Sequence, residues 1–175
     1  MIDYTKIKQP KNFPLEVNAV IEISSNSGPV KYEIDEQNFL NVDRFLPVNM
    51  NYPCNYGFIP NTLGGDGDPL DILVLTRFPI MPGSIIKTKI IGVLCMEDEK
   101  GKDEKILSVP VEKVDLFYKD IHDISDISII QLKQIEHFFT HYKDLESDKF
   151  VKILGWENKK KAIDLILSHA IAKPI

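Results

Sequence analysis

Within six residues the chain carries three carboxylates, in Asp66-Gly67-Asp68-Pro69-Leu70-Asp71, and then passes at once into the apolar run Ile72-Leu73-Val74-Leu75. That junction constrains the fold more than any other stretch. The apolar run reads as a buried strand, yet neighbouring acids repel one another unless cations lie among them, and an unpaired buried charge is costly. The segment is therefore expected to need a cation beside it, with Asp71 at the start of a buried strand. A calcium loop of the EF-hand kind does not fit, because its fifth position would be Leu70, its sixth Asp71 in place of glycine, and its twelfth Arg77.

A second acidic group, Glu97-Asp98-Glu99-Lys100-Gly101-Lys102-Asp103-Glu104-Lys105, lies between two apolar runs. By itself it reads as a solvated hairpin tip. Two carboxylate clusters at strand ends in a chain of 175 residues point instead to one shared site. Oxygen ligands with no His or Cys among them suit Mg²⁺ or Mn²⁺ far better than zinc, and several carboxylates suit more than one ion. A third group is cationic and phenolic: Lys31, Arg44, Lys105 and Lys143, with Tyr52, Tyr56 and Tyr142. Cations beside a polycarboxylate site are what a phosphate ester or anhydride requires, since its oxygens need neutralising from metal and protein together. Tyr142-Lys143 also fits a helix C-terminus, with a core aromatic and a cation matched to the dipole.

Up to Val111 the pattern predicts strands over 19–23, 30–34, 72–75, 85–96 and 106–111, each bounded by Gly, Pro, Asn or Ser. Beyond it the period becomes helical. Leu132, Ile135, Phe139 and Tyr142 share a stripe over 128–142, and Ile163, Ile166, Leu167 and Ala170 share another over 162–172. The expected class is α+β, a β-barrel or curled sheet with two main helices packed against it, in one domain spanning 1–175. The turn Ser24-Ser25-Asn26-Ser27-Gly28-Pro29 predicts an antiparallel hairpin of the first two strands, so that Glu22, Lys31 and Glu33 share a face.

A net charge of −5 argues against wrapping duplex nucleic acid or an anionic membrane. No apolar stretch approaches the roughly 20 residues of a membrane helix. Cys54 and Cys95 have no metal-ligand spacing, and with the polar opening Met1-Ile2-Asp3 they predict reduced thiols in a cytoplasmic protein without a signal peptide.

Taken together, these segments resemble the soluble, magnesium-dependent inorganic pyrophosphatases, in their short bacterial form. The resemblance rests on Asp66 to Asp71, flanked by Ile21-Glu22-Ile23, Lys31-Tyr32-Glu33, Val42-Asp43-Arg44, Tyr52-Pro53-Cys54-Asn55-Tyr56-Gly57, Pro82-Gly83-Ser84, Asp98-Glu99 with Asp103 and Lys105, and His141-Tyr142-Lys143. It departs at Ser24, where Pro is common, and at Phe150, where Trp is common. It implies a five-stranded OB-like barrel and hydrolysis of pyrophosphate to two phosphates by a metal-activated water, with several Mg²⁺ per subunit and Mn²⁺ or Zn²⁺ as substitutes. By position, Asp66, Asp71, Asp103, Asp98 and Glu33 resemble metal ligands, and Asp68 the general base. Lys31, Arg44, Lys105, Tyr142 and Lys143 resemble pyrophosphate contacts, Tyr56 a donor in the cavity, and Glu22, Glu99 and Tyr52 a supporting polar network.

The alternatives are a hydrolase of another phosphoanhydride, for which no Walker-type loop is present, and an OB-type module stacking single-stranded nucleic acid, whose groove would be basic rather than acidic. The resemblance also implies a homohexamer. On the 128–142 helix, Ile130, Gln134, His137 and His141 fall opposite the core stripe, a face suited to a subunit contact. The spacing of the two histidines also allows zinc, but no Glu follows His137 and no third ligand is near in sequence.

Overall fold

The computed structural model describes residues 3–65 and 67–171. Nine strands appear in chain order: β1 (Glu16–Ile23), β2 (Val30–Ile34), β3 (Leu40–Phe45), β4 (Asn55–Phe58), β5 (Asp71–Val74), β6 (Ile85–Asp98), β7 (Gly101–Lys102), β8 (Lys105–Pro110) and β9 (Val151–Asn158). Two α-helices accompany them, α1 (Ile129–His141) and α2 (Lys159–His169). Five strands close a ring: β1 pairs with β4, β4 with β5, β5 with β8, β8 with β6, and β6 returns to β1. All of these pairings are antiparallel except β5 with β8.

The 14-residue β6 makes closure possible, because its successive stretches pair with β1, β8 and β9. A bulge between Ile90 and Gly92 re-aims the strand where β8 and β9 meet it. Gly92 is needed there, since a Cβ would stand 2.9 Å from the Glu157 carbonyl oxygen. β9 extends the sheet beyond the ring, so the OB-like barrel is imperfect.

Both faces of the ring strands are buried, which is why their sequences are continuous apolar runs rather than alternating ones. Ile72 and Val74 join a cluster with Val17, Ile21, Ile106 and the α2 residues Ala162 and Ile166. Leu73 and Leu75 join the other, with Leu107, Met96 and the α1 residues Leu132, Ile135, Phe138 and Phe139. Helix α1 presents the expected stripe with Phe138 added, and Tyr142 is its C-cap residue. Helix α2 begins three residues before the expected start, because β9 runs directly into it and the Asn158 side chain accepts from Lys161 N–H at 3.1 Å. Its buried line is Ala162 and Ile166, whereas Leu167, expected inside, is half exposed.

The predicted hairpin of the first two strands does not form. β1 is already paired along one edge with β4 and along the other with β6, so β2 has no ladder to join. It pairs instead with β3 in a separate two-stranded sheet that sets Lys31 opposite Arg44. One side-chain bond ties this small sheet to the ring: Glu22 Oε1 accepts from Ile34 N–H at 2.8 Å.

Candidate active site

One end of the ring, the β2–β3 sheet and the chain just after α1 enclose a cavity of about 270 Å³. Carboxylates from Glu22, Glu33, Asp68, Asp71, Asp98, Glu99 and Asp103 line it, and so do cations from Lys31, Arg44, Lys100, Lys102, Lys105, Lys143 and Lys149. The deepest group is built by the parallel register of β5 and β8, which places Asp71 beside Lys105. Lys105 Nζ bonds to Asp71 Oδ2 and, at 2.5 Å, to Asp103 Oδ1. Burial disfavours the Lys105 ammonium, but Asp71 and Asp103 outweigh it and hold the group charged well above its ordinary range. Burial and the charge of Asp103 act oppositely to Lys105 on Asp71, whose carboxyl stays above the usual range.

The same pairing recurs around the wall. Lys143 Nζ bonds to Asp98 Oδ2 at 2.7 Å and approaches Glu99 Oε2 at 3.3 Å. Burial opposes ionisation of Asp98, yet Lys143 and the Lys100 N–H, 2.8 Å from Oδ1, hold its carboxyl below the ordinary value. Lys31 meets Glu33 and, at 3.2 Å, Asp43. Arg44 bonds to Asp43 at 2.6 Å and to Glu146 at 3.3 Å, and Glu146 also holds Lys149 at 2.5 Å. Glu22 has no such cation at ion-pair distance among the described residues. Burial, then the charges of Asp71 and Glu33, push its carboxyl up to about 8.

The sequence-predicted residues therefore converge, with two reservations about place. Tyr52 does not line the cavity: it lies behind Tyr56 in the core, against the Phe138 ring at 4.7 Å. Asp66 lies outside the described residues. Tyr56 is buried against Asp71, with its phenol held well above its usual range by burial first and by Asp71 and Asp103 next. Tyr142 lines the cavity with its ring stacked on Phe138 at 5.5 Å. Asp68 is at the exposed rim, on the loop leading to β5. Sequence reading missed Asp43 and Glu146 as the acids that hold Arg44, and Lys100, Lys102 and Lys149 as lining cations. Glu146 is 102 residues from Arg44, a separation that no local pattern reports.

The chain and its fold are similar to known proteins. The family model described as inorganic pyrophosphatase matches residues 19–172. The chain belongs to the inorganic pyrophosphatase family. It is 55% identical over 166 residues to the inorganic pyrophosphatase of Rickettsia typhi, covering 94% of this chain and 92% of that one. A crystal structure of an inorganic phosphatase from Anaplasma phagocytophilum is similar with a TM-score of 0.92 at 55% identity, covering 95% of this chain and 98% of the other. The inorganic pyrophosphatase structure from Thermus thermophilus matches with a TM-score of 0.91 at 39% identity, covering 97% of each chain. Glu22 on β1 and Lys31 and Glu33 on β2 line the cavity, so the charged faces of these strands form part of its wall.

The proteins of this family depend on metal, and the donor set here fits a hard divalent ion, since among the described residues the carboxylates in the cavity are joined by no His or Cys. Among the described residues, however, no three acidic, His or Cys side chains stand together as a ready coordination group. The Lys105 ammonium stands between Asp71 and Asp103 as their counter-charge. Four of the expected ligands are among the described residues, and each is engaged by a lysine: Asp71 and Asp103 by Lys105, Asp98 by Lys143, and Glu33 by Lys31.

Proposed function

We infer that this cavity hydrolyses inorganic pyrophosphate to two phosphates with Mg²⁺ as the activating ion, several ions being held per subunit. One observation carries the reading: Glu33, Asp71, Asp98 and Asp103, carboxylates of metal-ligand type, are each paired with a cation of phosphate-binding type. Such a site is neutralised internally and can exchange partners. Asp71, Asp103, Asp98 and Glu33 would hold the divalent ions, while Lys31, Arg44, Lys105 and Lys143 would hold the polyanion. When bound, the ions supply positive charge to phosphoryl oxygens and acidify water.

The chain's own groups do the rest. Asp68, at the cavity rim, accepts the proton of the attacking water at its carboxylate. Tyr56 and Tyr142, kept protonated by burial, donate hydrogen bonds without adding charge. Lys31, Arg44, Lys105 and Lys143 stabilise the charge that develops on the leaving phosphate, which is where phosphoryl transfer gains most of its rate. Asp66 completes the metal set in this proposal, and Mn²⁺ or Zn²⁺ are the substitutes. Glu22 and Glu99 support the network; Tyr52 supports it only through its packing on Tyr56.

The whole chain is proposed as one domain acting in the cytoplasm as a homohexamer. The cysteines are free thiols, and no helix among the described residues is long and apolar enough to cross a membrane. On α1 the expected outer face is open: Ile130 is exposed and the His137 and His141 rings lie 4.6 Å apart. Asp144 Oδ2, 2.7 Å from His141 Nδ1, engages that ring. Light scattering checks the assembly, with about six times 20.0 kDa expected and a monomer excluding it.

Phosphate release from pyrophosphate and from ATP, each with Mg²⁺ and with chelator, tests the function. Release from pyrophosphate alone, and only with metal, is expected. Equal or faster release from ATP would favour a hydrolase of another phosphoanhydride. A nucleic-acid module is disfavoured by the seven carboxylates that line the same cavity.

A further inference from the structure

Five of the cavity's cationic side chains meet a carboxylate within ion-pair distance. Lys100 and Lys102 do not: among the described residues neither ammonium has an acidic partner within that distance, though both side chains line the cavity and are exposed at its mouth. Their placement is built. Asp98 and Gly101 close a tight hairpin between β6 and β7, and Gly101 takes φ +119, a value that side-chain-bearing residues rarely adopt. Asp98 then moors the turn, since its Oδ1 accepts from Lys100 N–H while its Oδ2 holds Lys143 in the wall. Two uncompensated positive charges are thereby fixed at the entrance.

Their setting gives them a task. The chain as a whole carries −5 and repels a polyanion at a distance. At about 0.1 M salt only charges within about 10 Å of the ligand are strongly felt, so the rim decides whether an approaching anion is attracted. The deeper cations are already engaged and become available only as the carboxylates release them. We propose that Lys100 and Lys102 are capture residues, which receive pyrophosphate at the cavity mouth before it passes to the inner cations and so set kcat/KM rather than kcat. The proposal rests on the pyrophosphatase reading of the cavity.

The test compares a Lys100→Gln, Lys102→Gln double variant with a Lys113→Gln, Lys160→Gln control, which changes net charge equally at exposed positions outside the cavity lining. Pyrophosphate hydrolysis is followed at fixed Mg²⁺ across ionic strength, and binding of methylenediphosphonate, a non-hydrolysed analogue, is followed by calorimetry. At low ionic strength the rim variant should lose about 5- to 10-fold in kcat/KM and in diphosphonate affinity, with kcat within about 2-fold of the parent. The deficit should close at about 0.5 M salt, where screening reaches a few ångströms, and the control should track the parent throughout. A rim variant indistinguishable from the control at every ionic strength overturns the capture role, and so does a loss confined to kcat or independent of salt. If the parent neither hydrolyses pyrophosphate nor binds the diphosphonate, the functional reading itself fails and this one falls with it.

Discussion

Replacing Lys105 by Met separates the structural work of this residue from its work on substrate. The side chain is 4% exposed, between Asp71 and Asp103, which are 24% and 20% exposed. Removing the ammonium leaves two largely buried carboxylates facing each other without a counter-charge. Breaking a buried pair by deleting one partner typically costs about 3–5 kcal/mol. The cavity lets some water reach both acids, which puts the expected loss near the lower end, about 3 kcal/mol. Lys105 also lies 5.7 Å from the Tyr56 ring centroid, and losing that contact adds about 0.5 kcal/mol or more.

A divalent ion should reverse much of this loss, because the freed carboxylates no longer have to give up an ammonium in order to bind it. At free Mg²⁺ of 100 times its dissociation constant, binding to the folded state adds about 2.7 kcal/mol. Urea unfolding in chelator and in Mg²⁺ measures both terms. The variant should be about 3 kcal/mol less stable than the parent in chelator and recover most of that in Mg²⁺, gaining more than the parent does. Turnover should still fall about 100-fold or more, because a cation aimed at the phosphoryl oxygens is gone. A variant within about 1 kcal/mol of the parent in chelator, or equal stabilisation of both by Mg²⁺, would refute the counter-charge argument.

Asp68→Asn should keep the parental Mg²⁺ titration and lose about 100-fold or more in turnover, whereas Asp71→Asn should weaken the metal titration; parental behaviour in both would sink the role assignments. In chelator, the Glu22 carboxyl, raised from 4.5 to about 8, stabilises the folded state fully below pH 4.5 and loses that contribution as pH rises through about 8. Stability of the parent should thus fall across that window by a few kcal/mol at about 1.4 per pH unit, and Glu22→Gln should flatten the profile; a flat parental profile contradicts the burial argument. Gly57→Ala would drive a Cβ to 1.8 Å from the Val20 carbonyl oxygen and force β1 from β4, so poor soluble expression or a loss above about 3 kcal/mol is expected, and a parental midpoint would show that the ladder is not that close. Added Ca²⁺ should support little turnover compared with Mg²⁺, because its coordination is longer and looser; equal rates would count against the metal reading.

Whatever depends on neighbours a few positions away was legible in the order of the residues. The acids of 66–71 run into an apolar segment, so the need for a cation was legible there, and the period of Leu132, Ile135 and Phe139 marked which face of α1 is buried. Cross-strand partners were decided elsewhere. The partner of β2 depended on β1 having both edges filled, and the meeting of Asp71 with Lys105 depended on a parallel register between segments 34 residues apart. Four strands escaped sequence reading, β7 because it is only two residues long. β3 is almost wholly exposed, β4 is four residues long and holds a glycine, and β9 shifts register against β6 at Gly155, which takes φ +115, so none shows a clean alternation. Helical periodicity is written within one turn of chain. A sheet edge, and the acids Asp43 and Glu146 that hold Arg44, exist only after distant segments have been brought together, when pairing and burial outweigh the entropy of closing the loops between them.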